Sequence, residues 1–110
     1  MSHFYPSDAH REAASILDRL EFADALVRRV GPQRVRDIGA SLALHPMSRD
    51  DGHAIASELV AAGATIDAIH ADPPGAVVGL PEGFTSYDLT IEGRSVQVFA
   101  SYRAALAVAS

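Results

Sequence analysis

Residues able to move protons or hold a metal crowd the middle of this chain: His45, Asp50, Asp51, His53, His70 and Asp72. Histidine beside carboxylate is the raw material of general acid–base catalysis and of metal ligation. The spacings, however, match no dedicated site. There is no His-Glu-x-x-His, His45 and His53 are not one helical turn apart, and the residue one turn beyond His53 is Ser57. The chain has no cysteine, which removes thiol catalysis, disulfides and cysteine-rich zinc sites. No metal and no cofactor is expected. What remains on the enzymatic side is a small His/Asp-dependent enzyme in which His53 works with Asp50 or Asp51. The competing assignment gives Asp50 and Asp51 to a helix dipole and Asp72 to a turn.

A second group is cationic. Arg28, Arg29, Arg34, Arg36 and Arg49 lie close together in sequence, opposed within that span only by Asp37. Guanidinium groups suit phosphate contacts. A helix-turn-helix can be drawn around His45-Pro46, with the downstream hairpin as a wing. Its recognition helix would then present Arg49, Asp50, Asp51 and His53, a poor set for base edges and phosphates. Gly79-Leu80-Pro81-Glu82-Gly83 contains glycines but leads toward a strand, has no lysine, and places an acid where a phosphate would sit. No serine nucleophile elbow is present.

The third group is acidic. From Asp50 to Glu92 there is no arginine, and lysine is absent from the whole chain. Asp67, Asp72, Glu82, Asp88 and Glu92 fall in this span. A carboxylate face of this kind steers onto basic surfaces and bears on partners rather than on fold.

These residues need elements to carry them. Pro6-Ser7-Asp8 predicts a helix start with Ser7 or Asp8 as cap, and Gly31-Pro32 predicts its end. Ala13, Ile16, Leu20, Ala23, Val27 and Val30 make its stripe, widened by Leu17 and Leu26, and Asp24 pairs with Arg28. A second helix is expected from Pro32, with Val35, Ile38 and Leu42 as its face. A third runs from a Ser48 cap to Gly63, burying Ala54, Ile55, Leu59 and Ala62. Thr65 to His70 fits a helical turn or a strand, because Ile66 and Ile69 are three apart. Asp72-Pro73-Pro74-Gly75 reads as a turn and Ala76–Leu80 as a short buried strand. The alternation around Glu92-Gly93 predicts a hairpin with Leu89 opposite Val96 and Tyr87 opposite Val98. Phe99 then falls on the polar face, either covering a second small cluster or exposed. Ala104 to Ala109 reads as a terminal helix or a pairing strand.

The 110 residues, 48% of them hydrophobic, suit one α+β domain spanning 1–110: an N-terminal three-helix cluster followed by a small antiparallel sheet. The formal net charge is −5. The N-terminal residues lack a signal-peptide pattern and no stretch is apolar enough to span a bilayer, so the expectation is a soluble, cytoplasmic protein with no membrane contact. The leading functional expectation is a small acidic, non-enzymatic protein-binding module, an inhibitor or immunity-type regulator. It would occupy the basic surface of a partner such as a nucleic-acid-handling protein, with Asp67, Asp72, Glu82, Asp88 and Glu92 as contacts. The first alternative is a winged helix-turn-helix regulator contacting DNA through Arg28, Arg29, Arg34, Arg36 and Arg49. The second is the enzyme built on His45, Asp50, Asp51 and His53. A homodimer closed through the Ala104–Ala109 tail is compatible with any of them.

Overall fold

The computed structural model describes residues 8–39 and 42–103. In chain order they form α1 (Asp8–Val30), a 3-10 turn (Pro32–Arg34), β1 (Val35–Ile38), β2 (Ala43–Pro46), α2 (Asp51–Ala61), β3 (Thr65–Asp72), β4 (Phe84–Ile91) and β5 (Arg94–Ala100). The strands make one mixed sheet in the order β1-β2-β5-β4-β3, in which only β2 and β5 run parallel. The α+β class stands. The three-helix cluster does not, since β1 and β2 replace the expected second helix, and the sheet is mixed rather than antiparallel. The Ser7 cap and the Ala104–Ala109 tail lie outside the described residues.

The cause of this difference is local. A register shift between Val35 and Asp37 inserts a residue into β1. Val35 then pairs with Pro46 and Ile38 with Leu44. Two apolar residues three apart therefore reach the same face of a strand, which is the spacing that suggested a helix. The same device recurs in β3. A shift between Ile66 and Ala68 lets Ile66 pair with Leu89 and Ile69 with Tyr87, so both isoleucines point to one side of the sheet. That resolves the Thr65–His70 ambiguity as strand.

The hairpin holds as read. Leu89 faces Val96 and Tyr87 faces Val98, and Glu92 and Gly93 both take positive φ (52° and 79°), as a two-residue turn of this twist requires. Ala76–Leu80, by contrast, is no strand. Val77 and Leu80 bridge each other across a tight turn and Val78 is fully exposed. Prolines at 73, 74 and 81 remove donors on both sides, and β3 and β4 already satisfy one another from Thr65 to Asp72.

Leu44, Ile55, Leu59, Leu89, Val96 and Val98 are fully buried, and both helices close over this one face of the sheet. Among the described side chains of α1, those that enter the core lie in its C-terminal half. Ala23, Leu26 and Val30 are buried, while Ile16, Leu17 and Leu20 are exposed at 45%, 56% and 61%. The long stripe read from the sequence is thus half unused by this fold, in a molecule whose longest dimension is 60 Å. The Asp24–Arg28 pair forms at 3.0 Å.

α2 is turned from its expected orientation. Its buried face is Gly52, His53, Ile55, Ala56 and Leu59, with Ala54 and Ala62 outside. Asp50, not Ser48, stands at the N-cap, and no side chain caps it; the Asp51 amide donates to the Ser48 carbonyl instead. The C-terminus closes as expected around Gly63: its amide donates to Val60 and that of Ala64 to Leu59. The rotation follows from Gly52. A Cβ there would sit 2.1 Å from the Phe99 carbonyl oxygen and 2.8 Å from the Ala100 Cα. Only glycine lets α2 lie this close to β5.

Helix propensity alone would make Gly52→Ala stabilising by about 0.5–1 kcal/mol. Steric conflict with backbone reverses the sign, and we expect a loss of about 1–3 kcal/mol in urea unfolding. A raised midpoint would refute the close approach.

Candidate functional site

His53 enters the structure where Gly52 permits α2 to touch β5. It is buried, with Nδ1 2.7 Å from the Tyr87 hydroxyl and Nε2 2.9 Å from the Ser101 carbonyl oxygen and 3.2 Å from the Ser101 hydroxyl. A carbonyl only accepts, so the closest contact at Nε2 makes that nitrogen the donor. Nδ1 is then the acceptor and the Tyr87 hydroxyl donates to it. Both nitrogens are committed, and neither is bonded to a carboxylate. His53 therefore ties α2 to β4 and to the end of β5; the partnership with Asp50 or Asp51 read from sequence spacing is not formed as a hydrogen bond. Burial, reinforced by the Arg103 guanidinium, lowers the imidazole pKa against the weaker opposing effects of the Ser101 carbonyl and Asp50. Burial also raises that of Tyr87, against the weaker lowering effect of Arg103.

His45 goes elsewhere. It sits on the face of the sheet opposite the helices and stacks on Phe99, with centroids 4.8 Å apart and planes 9° from parallel. The parallel register of β2 and β5, Leu44 opposite Val98, sets this pair. Phe84 adds a tilted ring at 6.0 Å. The second small cluster under Phe99 thus exists, and His45 and Phe84 are its other members.

This aromatic row forms one side of a cleft of about 670 Å³ at the carboxyl ends of β2 and β5. Arg36, Arg49, Asp50 and Glu82 also border it, with Ser101 and Tyr102. The loop from β2 to α2 is held by the backbone: the Met47 amide donates to Arg34 and the Ser101 amide to Arg49. Arg49 also reaches the Gly83 carbonyl at 3.5 Å.

The arginines expected to act together are dispersed. Arg28 pairs with Asp24 on α1. Arg34 spans to α2, where both its terminal nitrogens meet the Glu58 carboxylate at 3.0 and 2.9 Å, so that Glu58 is held below and Arg34 above its ordinary pKa. Arg36 and Arg49 border the cleft, and Arg29 is exposed near Glu92. The helix-turn-helix that would have organised them is replaced by β1 and β2.

The acidic residues also separate. Asp67, in the β3 bulge, accepts from Thr90, and Asp88 accepts from His70 and Gln97, each at 3.1 Å. Asp72 pairs with Phe84 across β3 and β4, and Glu92 sits at the far hairpin turn. Together these run along the β3–β4 ribbon on the edge of the sheet. Glu82 belongs to the cleft instead. Among the described residues, no three histidines or carboxylates are placed to hold a metal, and no helix is long and apolar enough to cross a membrane. Tyr87, Ser101, Phe84 and Tyr102 are site residues that the sequence does not mark as such; the hairpin alternation, which turns Tyr87 inward, is the local signal it offers. Searches against protein-family models, curated proteins and solved structures find no match to this chain.

In the unfolded chain His53 binds its proton near the ordinary 6.5, and in the folded protein only at lower pH. The unfolded state then holds more protons, so this contribution is complete above about pH 6.5 and is lost as pH falls below it. Stability measured between about pH 7 and 5.5 should therefore fall more steeply for the native protein than for His53→Gln. Parallel slopes would contradict a buried neutral imidazole.

Proposed function

We propose that this domain is a non-enzymatic binding module that acts by occupying a basic surface of a partner protein, as an inhibitor or immunity-type regulator does. The observation that carries the reading is the β3–β4 ribbon. β3 is an edge strand of eight residues, so one row of its amides and carbonyls has no strand partner among the described residues. Asp67 and Asp72 on β3 and Asp88 beside them give that edge one sign of charge, and Glu92 follows at the β4–β5 turn, where Arg29 of α1 lies near it. Arg94, the nearest cation in sequence, is committed to Asp18 and lies 4.8 Å over the Phe22 ring. Carboxylates and a bulge on an edge also keep it from pairing with copies of itself. The same features leave it open to a cationic partner, where they raise the association rate and exclude acidic competitors.

The test is capture of interacting protein at low and then high salt, followed by the triple variant Asp67→Lys, Asp72→Lys, Glu92→Lys. Asp88 is left alone because it organises His70 and Gln97. The reading expects a stoichiometric basic partner released by salt, and an affinity for the variant lower by about two orders of magnitude with an unchanged circular dichroism spectrum. Undiminished binding by the folded variant would reject the ribbon as the contact face.

The exposure of Ile16, Leu17 and Leu20 on α1 favours a second, compatible reading, a homodimer through that helix. A small domain gains buried surface this way. Sedimentation should show a concentration-dependent dimer that Leu17→Glu with Leu20→Glu makes monomeric; a native chain that stays monomeric throughout would end this reading.

A further inference from the structure

The cleft at the ends of β2 and β5 shares Phe84 with the ribbon but none of the ribbon's carboxylates, and it carries a chemistry of its own. We propose that it binds a small aromatic zwitterion of the α-amino-acid class, one planar ring carrying a carboxylate and an ammonium group.

Its volume of about 670 Å³ suits a small ligand. It lies at the carboxyl ends of the two parallel strands, β2 and β5. The cleft is pre-formed: the amides of Met47 and Ser101 pin its loop from both sides, and Gly83, at φ 73°, has its Cα so close to the Asp72 carbonyl that a Cβ would meet it at 2.3 Å. Walls held by backbone need little ordering when a ligand enters.

The charges define the ligand. Arg28, Arg34 and Arg94 each have a carboxylate partner. Arg36 and Arg49 have no ion pair among the described residues, yet both border the cleft. Asp50 and Glu82 border it too, equally without an ion pair to these arginines. A simple anion would meet two carboxylates and a simple cation two guanidinium groups. A molecule bearing both charges meets a partner for each, the carboxylate at Arg36 or Arg49 and the ammonium at Asp50 or Glu82. The ring completes the match. Phe84, Phe99 and Tyr102 supply an apolar wall against which an aromatic side chain packs offset or edge-on.

The experiment is a titration of the ¹⁵N-labelled full chain with L-phenylalanine, following the amides of Gly83, Phe99, Ser101 and Tyr102. Phenylacetate, phenethylamine and glycine serve as comparisons lacking the ammonium, the carboxylate and the ring. The proposal expects saturable shifts at the cleft with phenylalanine. It expects weaker binding by about tenfold or more for each comparison compound, and for Arg36→Gln with Arg49→Gln. These arginines are exposed, so the variant should keep the native spectrum elsewhere. Absence of saturable shifts up to about 10 mM phenylalanine would overturn it. Equal binding of phenylacetate or phenethylamine would also overturn it, because the charge argument would then be empty. The partner capture described above does not involve this cleft, so either result stands without the other.

Discussion

A hydrogen atom in place of a methyl group at Gly52 decides how this molecule is put together. The α2 backbone rests on the β5 backbone at Phe99 and Ala100, closer than any side chain would allow. Once seated there, α2 must bury what lies beside Gly52 on the same face. That includes His53, a polar group that would be costly in the core without partners. Tyr87 and Ser101 supply them from β4 and the end of β5. The contact thus selects the helix face, fixes the imidazole and brings the start of α2 against the end of the sheet, where the cleft opens.

Three surfaces with different chemistry follow from this arrangement. The helix-covered side of the sheet is apolar and closed by Leu44, Ile55, Leu59 and their neighbours. The opposite side carries no helix among the described residues and divides along its length. Toward β1 and β2 it carries rings, His45 on Phe99, and the mixed charges of the cleft. Toward β3 it is acidic, with Asp88 holding His70 and Gln97 in a polar network. Charge that looked like one block in the sequence is partitioned by the fold, with Glu82 on the cleft and Asp67, Asp72 and Glu92 on the ribbon. The arginines are partitioned likewise, some neutralised by Asp18, Asp24 and Glu58, others left facing the cleft.

What could be read in advance was whatever rests on neighbours in sequence. Gly31-Pro32 ended α1, Gly63 closed α2, and Glu92-Gly93 set a register that put Tyr87 and Val98 across from one another. What misled was the pair of bulges. By inserting one residue each, they place Val35 with Ile38 and Ile66 with Ile69 on common faces of strands, a periodicity that belongs to helices. The α2 face is ambiguous in sequence: Ala54 and Ala62 fit helical spacing as well as Gly52 and Ala56 do, and the deciding contact comes from β5, far along the chain. The candidate site was legible only in its parts. His45, Asp50 and Glu82 stood out as residues, but the stacking of His45 on Phe99 depends on the parallel pairing of β2 with β5, which leaves no mark in local sequence.

The central claim is that the β3 edge is the face this protein offers to a partner. Hydrogen exchange on the purified complex, compared with the free domain, tests it most directly, because the edge amides of β3 have no strand partner among the described residues and should exchange freely until one is supplied. The account predicts new protection concentrated in Thr65–Asp72, with little change in α1 or at Phe99 and Ser101. Protection confined to α1 or to the cleft, with β3 exchanging as before, would contradict it.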